Sequence, residues 1–256
     1  MTQLRRRNNR PAVIAHRGAP SSDLPENSRA AFDRAVSLGF DGLETDVQVS
    51  SDGVLIIQHD EDVSTTTDGL GIASTLTWKQ LCSLRKANGE SIMSAAEFFE
   101  RYPDVYVNVD VKTDEALVPA IKFIDSLDAA DKRRICVGSF SSARLTELRS
   151  HLGPQVSTCL SAKEVLRLLL AAKTASSPYA WKVPGQEIGA VAAQVSVDAY
   201  GIKVIDRRFV AAAHQRGLAV HAWTINDLTE LRHLHDIGVD AVFTDEPALL
   251  DYRPQG

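Results

Sequence analysis

A (β/α)₈ barrel is the fold this sequence predicts, and three observations predict it. Short β-rich runs alternate with amphipathic stretches of helical length along most of the chain. At 256 residues the chain is long for one ordinary domain but normal for such a barrel. Titratable and cationic side chains recur at the C-terminal ends of the runs, where barrel enzymes carry their chemistry.

Taken in order, the runs are AVIAH (12–16), GLETDVQV (42–49), VLIIQH (54–59), VYVNVDV (105–111), RICVGS (134–139), VSTCLS (156–161), VAAQVSV (191–197), AVHAWTI (219–225) and DAVFTD (240–245). That is nine runs for eight barrel strands. Ser51-Asp52-Gly53, between two alternating runs, explains the surplus as a hairpin that folds 54–59 back antiparallel on 42–49. A loop at Ser51-Asp52 sets His59 opposite Glu44; a loop at Asp52-Gly53 sets it opposite Asp46. The first helix is expected over 26–40, with Ala30, Ala31, Ala35, Val36 and Leu38 roughly on one side and Gly39 at its end; Glu26-Asn27 either cap it or reach the pocket, and Asn27 reads as the cap. DRRFVAAAHQRGL and DLTELRHLHDIGV repeat that form, each with an N-terminal Asp and a Gly near the C-terminus. The segment from about 60 to 103 fits the strand–helix rhythm poorly, carries two short helical patterns (77–85 and 94–101) and reads as an inserted subdomain. The expected organisation is an N-terminal extension (1–11) and one barrel domain (12–252) containing that insertion.

Composition narrows the classes of function. Hydrophobic residues are 44 % and charged residues 24 %, as in globular proteins, and the net charge of -5 does not suit a general nucleic-acid binder. The basic run RRRNNR (5–10) is short and alone and reads as a solvated extension. No apolar stretch reaches the roughly 18 residues of a membrane span; the longest, LRLLLAAKTA, is interrupted by Lys173. No apolar core follows the N-terminal arginines, so the expectation is a cytoplasmic protein without a secretory signal. Cys82, Cys136 and Cys159 are odd in number and scattered, and read as reduced core thiols.

The chemistry sits at the strand ends. His16 and Arg17 end the first run, Glu44 and Asp46 share one face of the second, and His59 ends the hairpin. Asp110 and Lys112, again two apart, end the fourth; Trp223 and Asp245 end the last two barrel runs. Three carboxylates (Glu44, Asp46, Asp110) facing one small volume repel each other, and a divalent metal ion relieves that. An all-oxygen ligand set suits Mg²⁺ or Ca²⁺ better than zinc. With Arg17 and Lys112 beside it, the pocket is cationic and suited to a phosphate. His16 and His59 would then supply the base and the acid that phosphodiester cleavage needs near neutral pH. Trp223 reads equally as a wall of the substrate pocket or as core; Phe140 and Gln194 are minor candidates for substrate contact. His221 reads as structural, and His214, His233 and His235 as outer-face residues.

HRGAP…PENS, GLETDVQVSSDGVLIIQHD, TTDGLG, HAWTIND and GVDAVFTDEP together resemble the glycerophosphodiester phosphodiesterases over residues 12 to 250. The resemblance implies a metal-dependent hydrolysis of small-molecule glycerophosphodiesters to an alcohol and glycerol 3-phosphate. It also implies His16 and His59 as acid/base pair, Glu44 and Asp46 as metal ligands, and Arg17 and Lys112 as phosphate binders. Three positions depart from the family pattern. VNVDVK offers Asp110 where a glutamate is usual, one methylene shorter; Thr65 stands for an arginine and Met93 for a proline. Two alternatives stand beside this reading: a phospholipase D acting on lysophospholipids or sphingolipids, and a non-catalytic phosphate-binding barrel.

Overall fold

A computed structural model describes residues 4–7, 9–199 and 201–254 of the chain. The parallel strands are β1 (Ala12–Ala15), β2 (Gly42–Val49), β4 (Val107–Val111), β5 (Ile135–Gly138), β6 (Ser157–Cys159), β7 (Ala190–Ser196), β10 (Ala219–Trp223) and β11 (Ala241–Thr244). They pair in the order β1-β2-β4-β5-β6-β7-β10-β11, and β11 returns to β1 with Ala12 beside Ala241, closing an eight-stranded barrel. β3 (Leu55–Ile57) lies antiparallel on β2, and a small ribbon, β8 (Asp198–Ala199) with β9 (Ile202–Lys203), follows β7.

The expected hairpin forms, but in neither expected register. Val47 faces Ile57 and Val49 faces Leu55, so the loop has three residues, Ser51 to Gly53. Gly53 takes φ +85°, the left-handed position that a three-residue hairpin requires. Ser50 Oγ accepts from Val54 N and donates to Asp52 Oδ1, fixing the turn. The shift moves His59 off the sites opposite Glu44 and Asp46. It stands two residues past the end of β3, and Gln58 N donates to Asp46 O.

Helices wrap the barrel: α1 (Arg29–Leu38), α4 (Leu117–Ser126), α5 (Ala129–Arg134), α6 (Ser142–Leu152), α7 (Ala162–Lys173), α8 (Arg207–Gln215) and α9 (Leu228–Ile237). Ser28, not Asn27, caps α1, accepting from Ala31 N; Gly39 ends the helix as expected. Asp206 and Asp227 cap α8 and α9. Between β3 and β4 the chain forms two short helices, α2 (Trp78–Leu81) and α3 (Ala95–Arg101). There Val63, Ala73, Leu81 and Ile92 bury a small core of their own against Ile56.

The lower end of the barrel corrects the reading of RRRNNR. Leu4 is buried, packing with Ala12, Ile14, Phe243 and the interior residues of β7 and β10. Arg6 Nε donates to Val239 O, and Arg10 pairs with Asp41 at 2.8 Å. The arginines bind backbone carbonyls and a buried carboxylate at the barrel rim, so the described part of this segment is docked. Cys136 and Cys159 are buried free thiols, and burial pushes Cys136 up to about 12; Cys82, on α2's C-terminal side, is partly exposed rather than core. Among the described residues no helix is long and apolar enough to cross a membrane.

Candidate active site

Strand register builds the site. β2 and β4 run side by side with Asp46 beside Asp110 and Glu44 beside Asn108, so the two strands alone deliver three carboxylates to the upper barrel. Gly138 on β5, the neighbour of Asp110, makes room for Cys159: a Cβ there would come within 3.2 Å of Cys159 Sγ, against an ordinary 3.8 Å to Asp110 Oδ1.

Immediately after β1 the backbone turns sharply. Arg17, Ala19 and Asn27 all take positive φ (49°, 54° and 54°), unusual for residues with a Cβ. Hydrogen bonds hold them there. Arg17 N donates to Glu44 Oε2 at 2.9 Å, and Asn27 N donates to Arg17 O at 2.9 Å. The buried Asn27 side chain spans the site: Nδ2 donates to Asp46 Oδ2, and Oδ1 accepts from Thr45 Oγ1. Nothing in the sequence pattern separated this role from capping, because Ser28 and Asn27 are both good cap residues.

Arg17 binds Glu26 at 2.8 Å and lies 3.4 Å from Asp46; its buried Nε has no hydrogen-bond partner among the described residues. Burial opposes its charge, but Asp46, Glu26 and Glu44 outweigh that and raise its pKa. Lys112 Nζ lies 3.1 Å from Asp110 and 3.4 Å from Asp46. Glu44 is pushed well toward its neutral form, first by burial and then by Asp46. Burial raises Asp110 as well, despite Lys112. The site therefore holds more negative charge than its two cations comfortably balance.

Each predicted acid/base histidine has a carboxylate behind it. His16 Nδ1 donates to Asp245 Oδ1 at 2.8 Å, and His59 Nδ1 donates to Asp60 Oδ1 at 2.7 Å. These bonds lower Asp245 and Asp60 against the opposing effect of burial. They place the proton on Nδ1 and leave Nε2 as the reactive nitrogen of both rings; neither Nε2 has a hydrogen-bond partner among the described residues. Asn226 Nδ2 in turn donates to Asp245 Oδ2. Asp60 and Asn226 lie in the motifs QHD and HAWTIND, but sequence reasoning assigns them no role; "HD" and "ND" signal one only once the histidine's role is known.

Trp223 meets Phe140 edge-on at 5.9 Å, and Lys112 Nζ lies 5.5 Å from the Phe140 ring, so an aromatic pair borders Lys112. Phe140 is 68 % exposed. Gln194 points into the barrel, donating to Asn108 Oδ1 at 2.7 Å and lying 3.3 Å from His221 Nδ1.

Glu44, Asp46 and Asp110 are hard oxygen donors with unbalanced charge, the chemistry that a hard divalent cation satisfies. Among the described residues, no three His, Cys, Asp or Glu side chains are gathered into a ready metal cage. Lys112 stands between two of the carboxylates instead.

A Mycobacterium tuberculosis protein named "Probable glycerophosphodiester phosphodiesterase 2" is 33 % identical over 238 residues, 93 % of this chain and 88 % of its own. A glycerophosphodiester phosphodiesterase of Caldanaerobacter subterraneus is 29 % identical over 254 residues, 93 % and 95 % of the two chains. Among solved structures, an Oleispira antarctica phosphodiesterase in complex with the product sn-glycerol-3-phosphate superposes with a TM-score of 0.74 at 25 % identity, covering 94 % of this chain and 97 % of that one. The sequence profile of the glycerophosphoryl diester phosphodiesterase family matches residues 16–249, and this chain belongs to that family.

Proposed function

We propose that the protein hydrolyses glycerophosphodiesters to an alcohol and glycerol 3-phosphate, with a divalent cation, Mg²⁺ or Ca²⁺, as cofactor. The observation that carries this reading is the pair of carboxylate-backed histidines beside Arg17, Lys112 and three crowded carboxylates. Glu44, Asp46 and Asp110 would hold the cation, which when bound neutralises charge on the phosphoryl oxygens. Arg17 and Lys112 bind the phosphate, and Trp223 with Phe140 walls the organic arm.

The histidines handle the protons. One Nε2 takes the proton from the attacking oxygen, a glycerol hydroxyl or a water, as its bond to phosphorus forms. The other gives a proton to the departing alcohol oxygen as the second P–O bond breaks. If the glycerol hydroxyl attacks first, the cyclic phosphate is opened by water with the two roles exchanged. Either route consumes one water and yields the same two products. Asp245 and Asp60 keep each ring in the required tautomer and favour its protonated form in turn.

Release of glycerol 3-phosphate from glycerophosphocholine and glycerophosphoethanolamine tests the reading, after chelation and again with Mg²⁺, Ca²⁺ or Mn²⁺ restored. Metal-restored release is expected. Hydrolysis undiminished by chelation would overturn the metal assignment, and no release from either diester would overturn the substrate assignment.

A further inference from the structure

The inserted segment grips the turn that carries Glu26 and Asn27. Glu90 receives the first two amides of that turn's helix: Arg29 N donates to Oε2 at 2.8 Å and Ala30 N to Oε1 at 3.1 Å. Lys86 is 3 % exposed, and its Nζ donates to Glu26 O at 3.1 Å. Lys86 N donates to Glu90 O, joining the two grips. Arg29 returns the contact, donating to Ser91 O and making two bonds to Glu97.

Burying an amine is costly, and here burial pushes it down to about 8. The return on that cost is local. The Glu26 carboxylate holds Arg17, and Asn27 holds Asp46 while in a left-handed conformation that needs outside support. Loosening the turn would release both together.

We propose that Glu90 and Lys86 are positioning residues for the phosphate clamp, clasping the 26–30 turn so that Glu26 and Asn27 hold Arg17 and Asp46 in place. The proposal rests on the reading of Arg17 as a phosphate binder. It gives the insertion a task in the reaction site itself: loss of the clasp weakens phosphate affinity while the histidine pair, on other segments, stays intact.

Calorimetric titration of the Mg²⁺-loaded protein with sn-glycerol 3-phosphate tests it, in a double-mutant cycle of Glu90→Ala with Arg17→Met. Glu90→Ala is expected to weaken binding about tenfold, in the range seen for groups that orient a ligand's direct contacts. Added to Arg17→Met it is expected to weaken binding clearly less than it does alone, because the part of its effect that runs through Arg17 is already lost and only the Asn27–Asp46 part remains. Glu90→Gln, which keeps an acceptor, is expected to fall between Glu90→Ala and the parent. Lys86→Met repeats the measurement should Glu90→Ala not fold. Arg101→Ala cuts an outer contact of the same insertion, the pair with Asp33, and is expected to leave affinity unchanged.

Affinity within twofold of the parent for both Glu90→Ala and Lys86→Met would overturn the clasp while leaving Arg17's role standing. An equal loss from Glu90→Ala with and without Arg17 would overturn it too, as general destabilisation. If Arg17→Met itself binds as tightly as the parent, the clamp reading fails first and the clasp falls with it.

Discussion

The lower end of the barrel buries one histidine, the upper end holds two half-buried ones, and the two ends use them in opposite ways. At the lower end His221 is fully enclosed: Nε2 donates to Leu4 O at 2.9 Å, so Nδ1 is left to accept from Gln194. Burial holds it in the neutral form. Asp240 nearby accepts from Val220 N and from His214, and these bonds lower its pKa against burial. Arg5 and His214 both pair with Asp240 there. At the upper end His16 and His59 keep one nitrogen unengaged, three carboxylates crowd together, and three side-chain-bearing residues sit at positive φ. One fold thus carries an end where Asp240 is paired and an end where like charges crowd together for chemistry.

The largest effect separating the ends should come from the histidines. His16→Ala and His59→Ala are each expected to lower kcat by about 10²–10⁴-fold, the worth of a positioned acid or base, with little change in Tm. Rates within tenfold of the parent for either variant would remove that residue from the mechanism. His221→Phe should do the reverse: activity within about twofold, and a stability loss of about 1–3 kcal/mol because Leu4 O and Gln194 lose a buried partner. A catalytic defect there without a fall in Tm would erase the distinction between the ends.

Glu44 gives the sharper test, since it should move function and stability in opposite directions. Glu44→Gln is expected to cost activity at least ~10-fold through lost metal affinity. In metal-free protein it should raise Tm near neutral pH. The sign follows from the raised pKa of Glu44. Between the ordinary glutamate value and the raised one, the folded chain holds a proton that the unfolded chain has lost, so this group's contribution falls as pH rises through that window. Glutamine removes that fall. Thermal melts of chelated parent and variant from acid to neutral pH would show the curves diverging upward in pH; parallel curves would mean that Glu44 is not strained.

The sequence revealed the upper end better than the lower because chemistry leaves a mark in residue type and hydrophobic docking does not. His16-Arg17, Glu44-x-Asp46 and Asp110-x-Lys112 are polar groups inside β-rich runs, which burial alone would not select. The strand–helix rhythm likewise sufficed for the barrel. The hairpin register escaped because two-residue and three-residue loops both fit Ser-Ser-Asp-Gly, and a one-residue slip turns every side chain over. Asn27 stayed between cap and pocket because asparagine suits both an N-cap and a left-handed turn such as its φ of 54°. Arg5 to Arg10 looked solvated because arginine's habit of binding backbone carbonyls at a packed rim has no sequence period.

The smallest expected effect lies with Asp240, and it runs opposite in pH to Glu44. Its pKa is lowered in the folded state, so its contribution to stability is fully present above the ordinary aspartate value and is lost as pH falls through the lower, folded one. Asp240→Asn should therefore lower Tm by a few degrees at neutral pH, equivalent to about 1 kcal/mol in a chain of this size, with the deficit shrinking toward pH 3. Activity at neutral pH should not change, since Asp240 meets the upper site through no contact of its own: its partners are Arg5, His214 and Val220, at the lower rim. A deficit that stays constant with pH would mean that the side chain's shape, not its charge, holds β10 and β11 together there.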